Sequence, residues 1–435
     1  MASPSRTAVL MGLGLAVLGL AGFAFLGIVG NTVSASEKVA LTNLYMIINV
    51  IGPGLFVSLE QEANRVVSSG VAAGVDPRPG LRRAAWLGLG LVGLTVVVML
   101  AISPVLVSRN LDGHSSLLVW VLVSALASMA VFYVRGVLAA GNQYDGYAAT
   151  LGMEGLFRLV ACFAVATIGS ATVDRYGLAY VLATIVAVLV AVPWLRKVFR
   201  ALREQPPVDA SPESRAAVTE GHTTGKIAKG LALLGAATLL AQLVANLAPI
   251  VVSARLLTDK ELVAAFGFAF VLTRVPLLVF GPVQSMMLPA LTAAAVRGDF
   301  AEVRGRVRVI LLAVFAVGLT GAIGSALLGP WLVVHVFNAT VWPSWQVMGL
   351  LGLSTVLLMI AQVLQPALVA LGRHHTVTVA WVIGTAVLVA MLALPGDPIA
   401  VAVAAQLVGP FLVAVVAFAG LWRGLRSAPQ PVAVS

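Results

Sequence analysis

The chain has 435 residues, 60% of them hydrophobic and only 10% charged, and its mean hydropathy is +1.02. Soluble domains carry about 25% charged residues, so water is not the main solvent of this chain. The net charge of +10 would suit nucleic acid only if the basic residues formed one patch, but they lie between apolar runs, and a single cysteine, Cys162, excludes an intramolecular disulfide and a cysteine metal cluster.

Apolar runs of about 20 residues cross a bilayer as helices. They predict spans near 7–29, 39–59, 84–108, 115–140, 147–169 and 176–196, then near 228–252, 262–288, 309–329, 345–371, 376–394 and 399–421. The strands of a membrane barrel would instead alternate polar and apolar residues. The first run is longer than a signal-peptide core and is expected to be retained. Between the two sets of six, the stretch EQPPVDASPESRAAVTEGHTTG from Glu204 is rich in Pro, Ser, Glu and Thr. That composition predicts a flexible linker with His222 in solvent. The expected organisation is a lobe at 1–200, a linker at 201–227, a lobe at 228–422 and a tail at 423–435.

Orientation follows the basic residues. Of the 27 Lys and Arg, nineteen fall in segments that share one side with both termini, five on the other side, and Arg135, Arg158 and Arg274 within helices. The positive-inside bias places both termini in the cytoplasm of a bacterial plasma membrane. The two sets also look like copies. Pro53 pairs with Pro282, Gly70 with Gly298 and Gly141 with Gly372, at offsets of 229, 228 and 231 residues. An even number of helices per copy implies a pseudo-twofold axis along the membrane normal.

In transporters built from repeats, helices interrupted by Gly or Pro at matching positions mark the substrate site. Helix breaks are therefore expected at Pro53, Pro276 and Pro282. Arg274 lies mid-helix, where burying the charge costs about 2.5–3.5 kcal/mol. Its neighbours three and four positions away are Phe270, Val271, Leu277 and Leu278, so its partner comes from another helix, water or a ligand. A permanently charged, fork-shaped donor suits a phosphate group, and an interhelical ion pair is the other reading. Glu154 and Arg158 stand one turn apart, either as an intrahelical ion pair or as a proton-coupling site. Glu60 and Arg135 fall near predicted helix ends, where snorkelling is expected. Tyr45 and Asn49 share the helical face of Pro53, and Asn246, Gln284, Gln362 and Gln365 are further polar candidates. The expected substrate-binding set is Arg274, Tyr45, Asn49, Asn246 and Gln284. No GxxxxGK[ST], HExxH or GxSxG motif occurs, so no catalytic residue, metal or cofactor is expected and the chain does not read as an enzyme.

The stretch from Arg274 through Pro276 and Gln284 to Pro289-Ala-Leu-Thr resembles the R-x-P…Q…P-x-L-[ST] segment of Wzx-type polysaccharide flippases. The run Arg135-Gly-Val-Leu-Ala-Ala-Gly-Asn-Gln-Tyr-Asp-Gly-Tyr147, followed by Glu154-Gly-Leu-Phe-Arg158, is similar to the same family's junction between helices four and five. These flippases share the MOP superfamily with the MATE exporters and the lipid II flippase. The resemblance implies an all-α, V-shaped transporter of two six-helix lobes around a basic cavity in which Arg274 contacts cargo. The implied cargo is an oligosaccharide on a polyprenyl pyrophosphate, moved between leaflets for surface polysaccharide synthesis. Membrane lipids, a polymerase and glycosyltransferases are the implied partners. Helix count departs from the lipid II flippase, twelve against fourteen, and helix two carries no arginine in its span. The competing class is an ion-coupled small-molecule exporter, MATE-like or of the major facilitator kind. For the latter, the loop GVAAGVDPRPGLRR from Gly70 lacks the G-x-x-x-D-[RK]-x-G spacing.

Overall fold

The computed structural model describes residues 4–204, 211–278, 299–426 and the single positions 291, 294 and 297. Pro282, Gln284, Pro289 and Gly298 lie outside the described residues. Among those described, all regular structure is helical, and twelve helices are long and apolar enough to cross a membrane.

The chain divides into two compact units, Met1–Gln242 and Leu243–Ser435. Unit 1 holds α1 (Pro4–Thr32), α2 (Ala35–Ala73), α3 (Arg78–Val105), α4 (Ser115–Ala140), α5 (Tyr144–Ile168), α6 (Val173–Val190), α7 (Val192–Arg203) and α8 (Pro212–Gly221). The next helix, α9 (Thr224–Arg255), begins in unit 1 and ends in unit 2. Unit 2 continues with α10 (Lys260–Leu272), α11 (Phe300–His335), α12 (Trp345–Ala370), α13 (His374–Leu392) and α14 (Pro398–Arg426).

Helix starts follow local chemistry. Ser34 opens α2 with a capping box, its N–H donating to Glu37 Oε2 at 2.9 Å. Asp259, Asp299 and Ser344 cap α10, α11 and α12 by accepting a backbone N–H three residues on. Ser211 and Pro212 start α8 in the same way. That helix lies inside the stretch read as a flexible linker. His222, which follows it, is 4% exposed rather than solvated. A capping serine with proline at the first helical position is a helix-start signal that overrides bulk composition.

Two expectations for α2 are corrected. Pro53 does not break the helix, which runs without interruption from Ala35 to Ala73. Neighbouring helices pack closely around it: Thr238 on α9 donates to the Gly54 carbonyl at 2.6 Å, and a Cβ at Gly52 would lie 3.0 Å from Ser128 on α4. The helix also outlasts its apolar run by more than three turns, so Glu60 sits in a helix interior rather than at an end.

Within unit 1, α1 packs on α5, α2 on α4, and both α4 and α5 on α6. Gly155 lets α1 approach, since a Cβ there would lie 2.8 Å from the Leu18 backbone, and Gly136 brings α4 against the Glu60 carbonyl. In unit 2, α12 packs on α11 and α14, and α13 on α14.

The repeat is visible in hydrogen bonds, with one shift of register. After α4, Gly141, Asn142 and Gln143 donate to Val137, Ala139 and Leu138; after α12, Leu371, Gly372 and Arg373 donate to Ala367, Val369 and Leu368. The left-handed residues are Asn142, at φ 55°, and Gly372, at φ 70°. Asn142 rather than Gly141 thus matches Gly372, and the offset is 230 rather than 231. Asparagine and glycine both tolerate this conformation, which is why one replaces the other. Ser124 and Ser354 repeat at the same offset, each donating to the carbonyl three residues back. An earlier turn also repeats: Leu111 and Gly113 donate to Leu106 and Val107, as Phe337 and Ala339 do to Leu332 and Val333.

Candidate functional site

Unit 1 buries an ion cluster. The short turn between α4 and α5 runs them side by side, so Arg135 on α4 faces Thr150 and Glu154 on α5. Glu154 accepts from Arg135 Nη2 at 2.8 Å, from Arg158 Nη2 at 2.7 Å and from Thr184 Oγ1 on α6 at 3.0 Å. Arg135 Nε donates to Thr150 at 3.0 Å, and the Arg158 guanidinium stacks 4.0 Å over the Tyr180 ring. The intrahelical pair of Glu154 and Arg158 is thus one side of a three-charge cluster. All three charged side chains are less than 9% exposed. Arg135 does not snorkel; it points inward to a carboxylate. Glu60 accepts the Tyr147 hydroxyl at 2.7 Å. Only Glu60 was placed at an end by the limits of an apolar run; α4 ends at Ala140 as expected, and Arg135, in its last turns, points inward because Thr150 and Glu154 lie opposite it.

Tyr45 and Asn49 lie beside this cluster. Tyr45 stacks on Phe25 at 6.4 Å and meets Tyr180 edge-on at 6.1 Å. Asn49 donates to the Tyr45 carbonyl at 2.8 Å. Cys162 is fully buried packing.

Unit 2 holds Arg274, in a turn rather than a helix. The α10 helix ends at Leu272, Thr273 and Arg274 form a turn, and residues 275–278 are helical again. Pro276 supplies no N–H to the Leu272 carbonyl, which accounts for the stop. Arg274 Nη2 donates to Gln406 Oε1 on α14 at 2.9 Å and Nη1 to Thr355 on α12 at 3.2 Å, with its guanidinium 4.6 Å from the Phe270 ring. Gln406 is itself held by the Val244 carbonyl on α9, at 3.0 Å. Arg274 Nε is buried without a hydrogen-bond partner, and no carboxylate lies within 4 Å among the described residues. The site therefore offers one positive charge held only by neutral groups, an arrangement suited to an anion.

Among the remaining candidates, Asn246 sits on α9 two residues beyond Val244, and Gln365 accepts the Trp381 indole at 2.9 Å. The predicted set therefore divides: Tyr45 and Asn49 belong to unit 1, Asn246 and Arg274 to unit 2. Gln406 was missed, although it is the one polar side chain between Pro398 and Leu421. Its isolation was the available signal. Thr150, Thr184 and Thr355 carry no comparable signal.

Comparison with solved structures decides the fold. A multidrug-resistance MATE family transporter of the MOP superfamily, inward-facing, aligns with a TM-score of 0.66 at 16% identity, covering 99% of this chain and 97% of its own. The chain has the MATE transporter fold. A Vibrio cholerae MATE transporter gives a TM-score of 0.66 at 16% identity, covering 97% and 98%, and an outward-facing MATE structure gives 0.63 at 16%, covering 98% and 95%. No protein-family model and no curated protein matches the sequence. The MATE-like fold thus rests on structure, across nearly the full length of both chains.

Proposed function

We propose that this chain is an alternating-access flippase of the bacterial plasma membrane. It moves an oligosaccharide linked to a polyprenyl pyrophosphate from the inner to the outer leaflet for surface polysaccharide synthesis. The observation that carries the reading is Arg274, a guanidinium within a span whose partners among the described residues are all neutral and whose Nε has no partner among them. Such a group recognises a phosphate that arrives with its own charge. The flippase-like residues around Arg274 and Glu154 support the same cargo. The basic residues support cytoplasmic termini.

The second reading is a small-molecule exporter, favoured by the likeness to MATE transporters. A cationic cargo would need an available carboxylate; Glu154 is occupied by three donors, which leaves Glu60, held by the Tyr147 hydroxyl alone among the described residues, as the acid that this reading would use. Unit 2 carries its acidic residues, Asp259, Glu261, Asp299, Glu302 and Asp397, only near helix starts.

Clean deletion of the gene separates the two. The flippase reading expects lipid-linked sugar units to accumulate on the inner leaflet, with rescue by the wild-type gene. Normal glycan export together with drug hypersensitivity would replace it with the exporter.

A further inference from the structure

A second basic site lies away from both clusters, at the start of α3. Asp76, Arg78, Pro79, Arg82, Arg83 and Trp86 line a cavity of about 520 Å³. Three guanidiniums face one carboxylate there. Asp76 is engaged by Arg78, whose Nε donates to Oδ1 at 2.9 Å and to Oδ2 at 3.0 Å. That contact holds the Asp76 carboxyl below the usual carboxylate range. Arg83 spends one terminal nitrogen on the His222 carbonyl, at 2.7 Å. Among the described residues Arg82 has no hydrogen-bond or ion-pair partner. Two positive charges are left uncompensated in a cavity open to solvent.

What adjoins the cavity identifies the ligand. Arg78, Arg82 and Trp86 are spaced by four and form one stripe of the helix. Trp86 is 64% exposed, at the point where the charged end of α3 gives way to its apolar span. Tryptophan favours this headgroup level of a bilayer. The stripe continues through Gly90 and Gly93, where an added Cβ would meet nothing within 4 Å, to Val97, which is 65% exposed. A free phosphate would use the guanidiniums but not the apolar face below them.

We infer that this cavity and the adjoining face of α3 bind an anionic phospholipid. Its phosphate is held by Arg78, Arg82 and Arg83, its glycerol lies at Trp86, and an acyl chain lies along Gly90, Gly93 and Val97. Clustered basic side chains on the cytoplasmic side attract anionic headgroups at about 1 kcal/mol each. The inference is independent of the cargo assigned to Arg274.

Native mass spectrometry of the purified full chain, titrated with phosphatidylglycerol, phosphatidylcholine or glycerol 3-phosphate, tests it. The wild type should retain phosphatidylglycerol over phosphatidylcholine. Arg78→Gln with Arg82→Gln should weaken phosphatidylglycerol about thirtyfold, the equivalent of about 2 kcal/mol. Arg304→Gln with Arg308→Gln, an equal charge change at exposed positions on α11, should leave it unaltered. Equal loss in both double variants, equal retention of phosphatidylcholine, or competition by glycerol 3-phosphate as strong as by the lipid would each overturn the site. Should the cavity variant fold poorly, Trp86→Ala alone gives the second reading: reduced lipid retention supports the site, and unchanged retention overturns it.

Discussion

Both units place arginine inside a span, and they treat it in opposite ways. In unit 1, Arg135 and Arg158 converge on Glu154, and threonines on α5 and α6 complete the cluster. In unit 2, the partners of Arg274 among the described residues are Gln406, Thr355 and an aromatic ring. The 230-residue offset sharpens the contrast, because it maps Arg135, Glu154 and Arg158 onto Gln365, Gly384 and Leu388. Among its described residues, unit 2 has no counterpart of that buried cluster. Gly384 instead lets α13 and α14 close together, since a Cβ there would lie 2.8 Å from the Gly409 carbonyl. Thr355, which holds Arg274, stands where unit 1 has Ala125. One fold thus supports two electrostatic solutions, a closed cluster that holds helices together and an open cation left for something else.

The largest expected effect is on the closed cluster. Glu154→Gln leaves two buried guanidiniums without a counter-charge, a loss of about 3–5 kcal/mol. Thermal unfolding in detergent should show a large drop. Adding the unit 2 residues, Arg135→Gln and Arg158→Leu, should restore most of it. A Glu154→Gln protein that stays fully stable but no longer transports would make the carboxylate a coupling group, and the contrast between units would fail.

Next is Gly384→Ala, where the methyl group meets α14 and overpacking costs about 1–3 kcal/mol. The matched change at Gly152, with nothing within 4 Å of an added Cβ, should be close to neutral. Equal effects at both positions would remove the reason given for the glycine in unit 2.

The smallest effect concerns His222. Its carbonyl is held by Arg83 and its Nε2 lies 3.0 Å from Ser69 Oγ, with Arg65 and Glu62 on α2 also facing it. Burial, and then Arg65, push its pKa below the ordinary histidine value. A depressed folded value means that protonation opposes docking. The docked state is therefore fully held above the free-histidine pKa of about 6.5 and weakens as pH falls below it. A cysteine at Ala216 on α8 should label faster at pH 5.5 than at pH 7.5. His222→Gln should flatten that dependence, and a variant with the wild-type profile would show that another group titrates.

The spans were legible because apolar length alone determines them. The repeat was legible through glycine and proline, but one residue out of register, because asparagine replaced glycine at the turn that matters. The end of α2 was not legible: hydropathy reports where lipid begins, whereas this helix continues past its apolar run, and that moved Glu60 from an expected end to the interior. The limits of α4 were legible, and what the sequence hid there was the acid on α5 that turns Arg135 inward. The absence of a local acid around Arg274 was evident in the sequence. Its neutral partners were not, because Thr355 and Gln406 arrive from helices 81 and 132 residues away.

The central claim is that Arg274 is an anion site. Its most direct test is binding of a polyprenyl pyrophosphate, with the uncharged polyprenol as control, to the purified protein and to Arg274→Ala and Arg274→Lys. The account predicts that the wild type prefers the pyrophosphate. Arg274→Ala should lose about tenfold or more while remaining folded, and Arg274→Lys, which keeps the charge without the planar fork, should fall between them. A folded Arg274→Ala protein that binds the pyrophosphate within about twofold of wild type would contradict it.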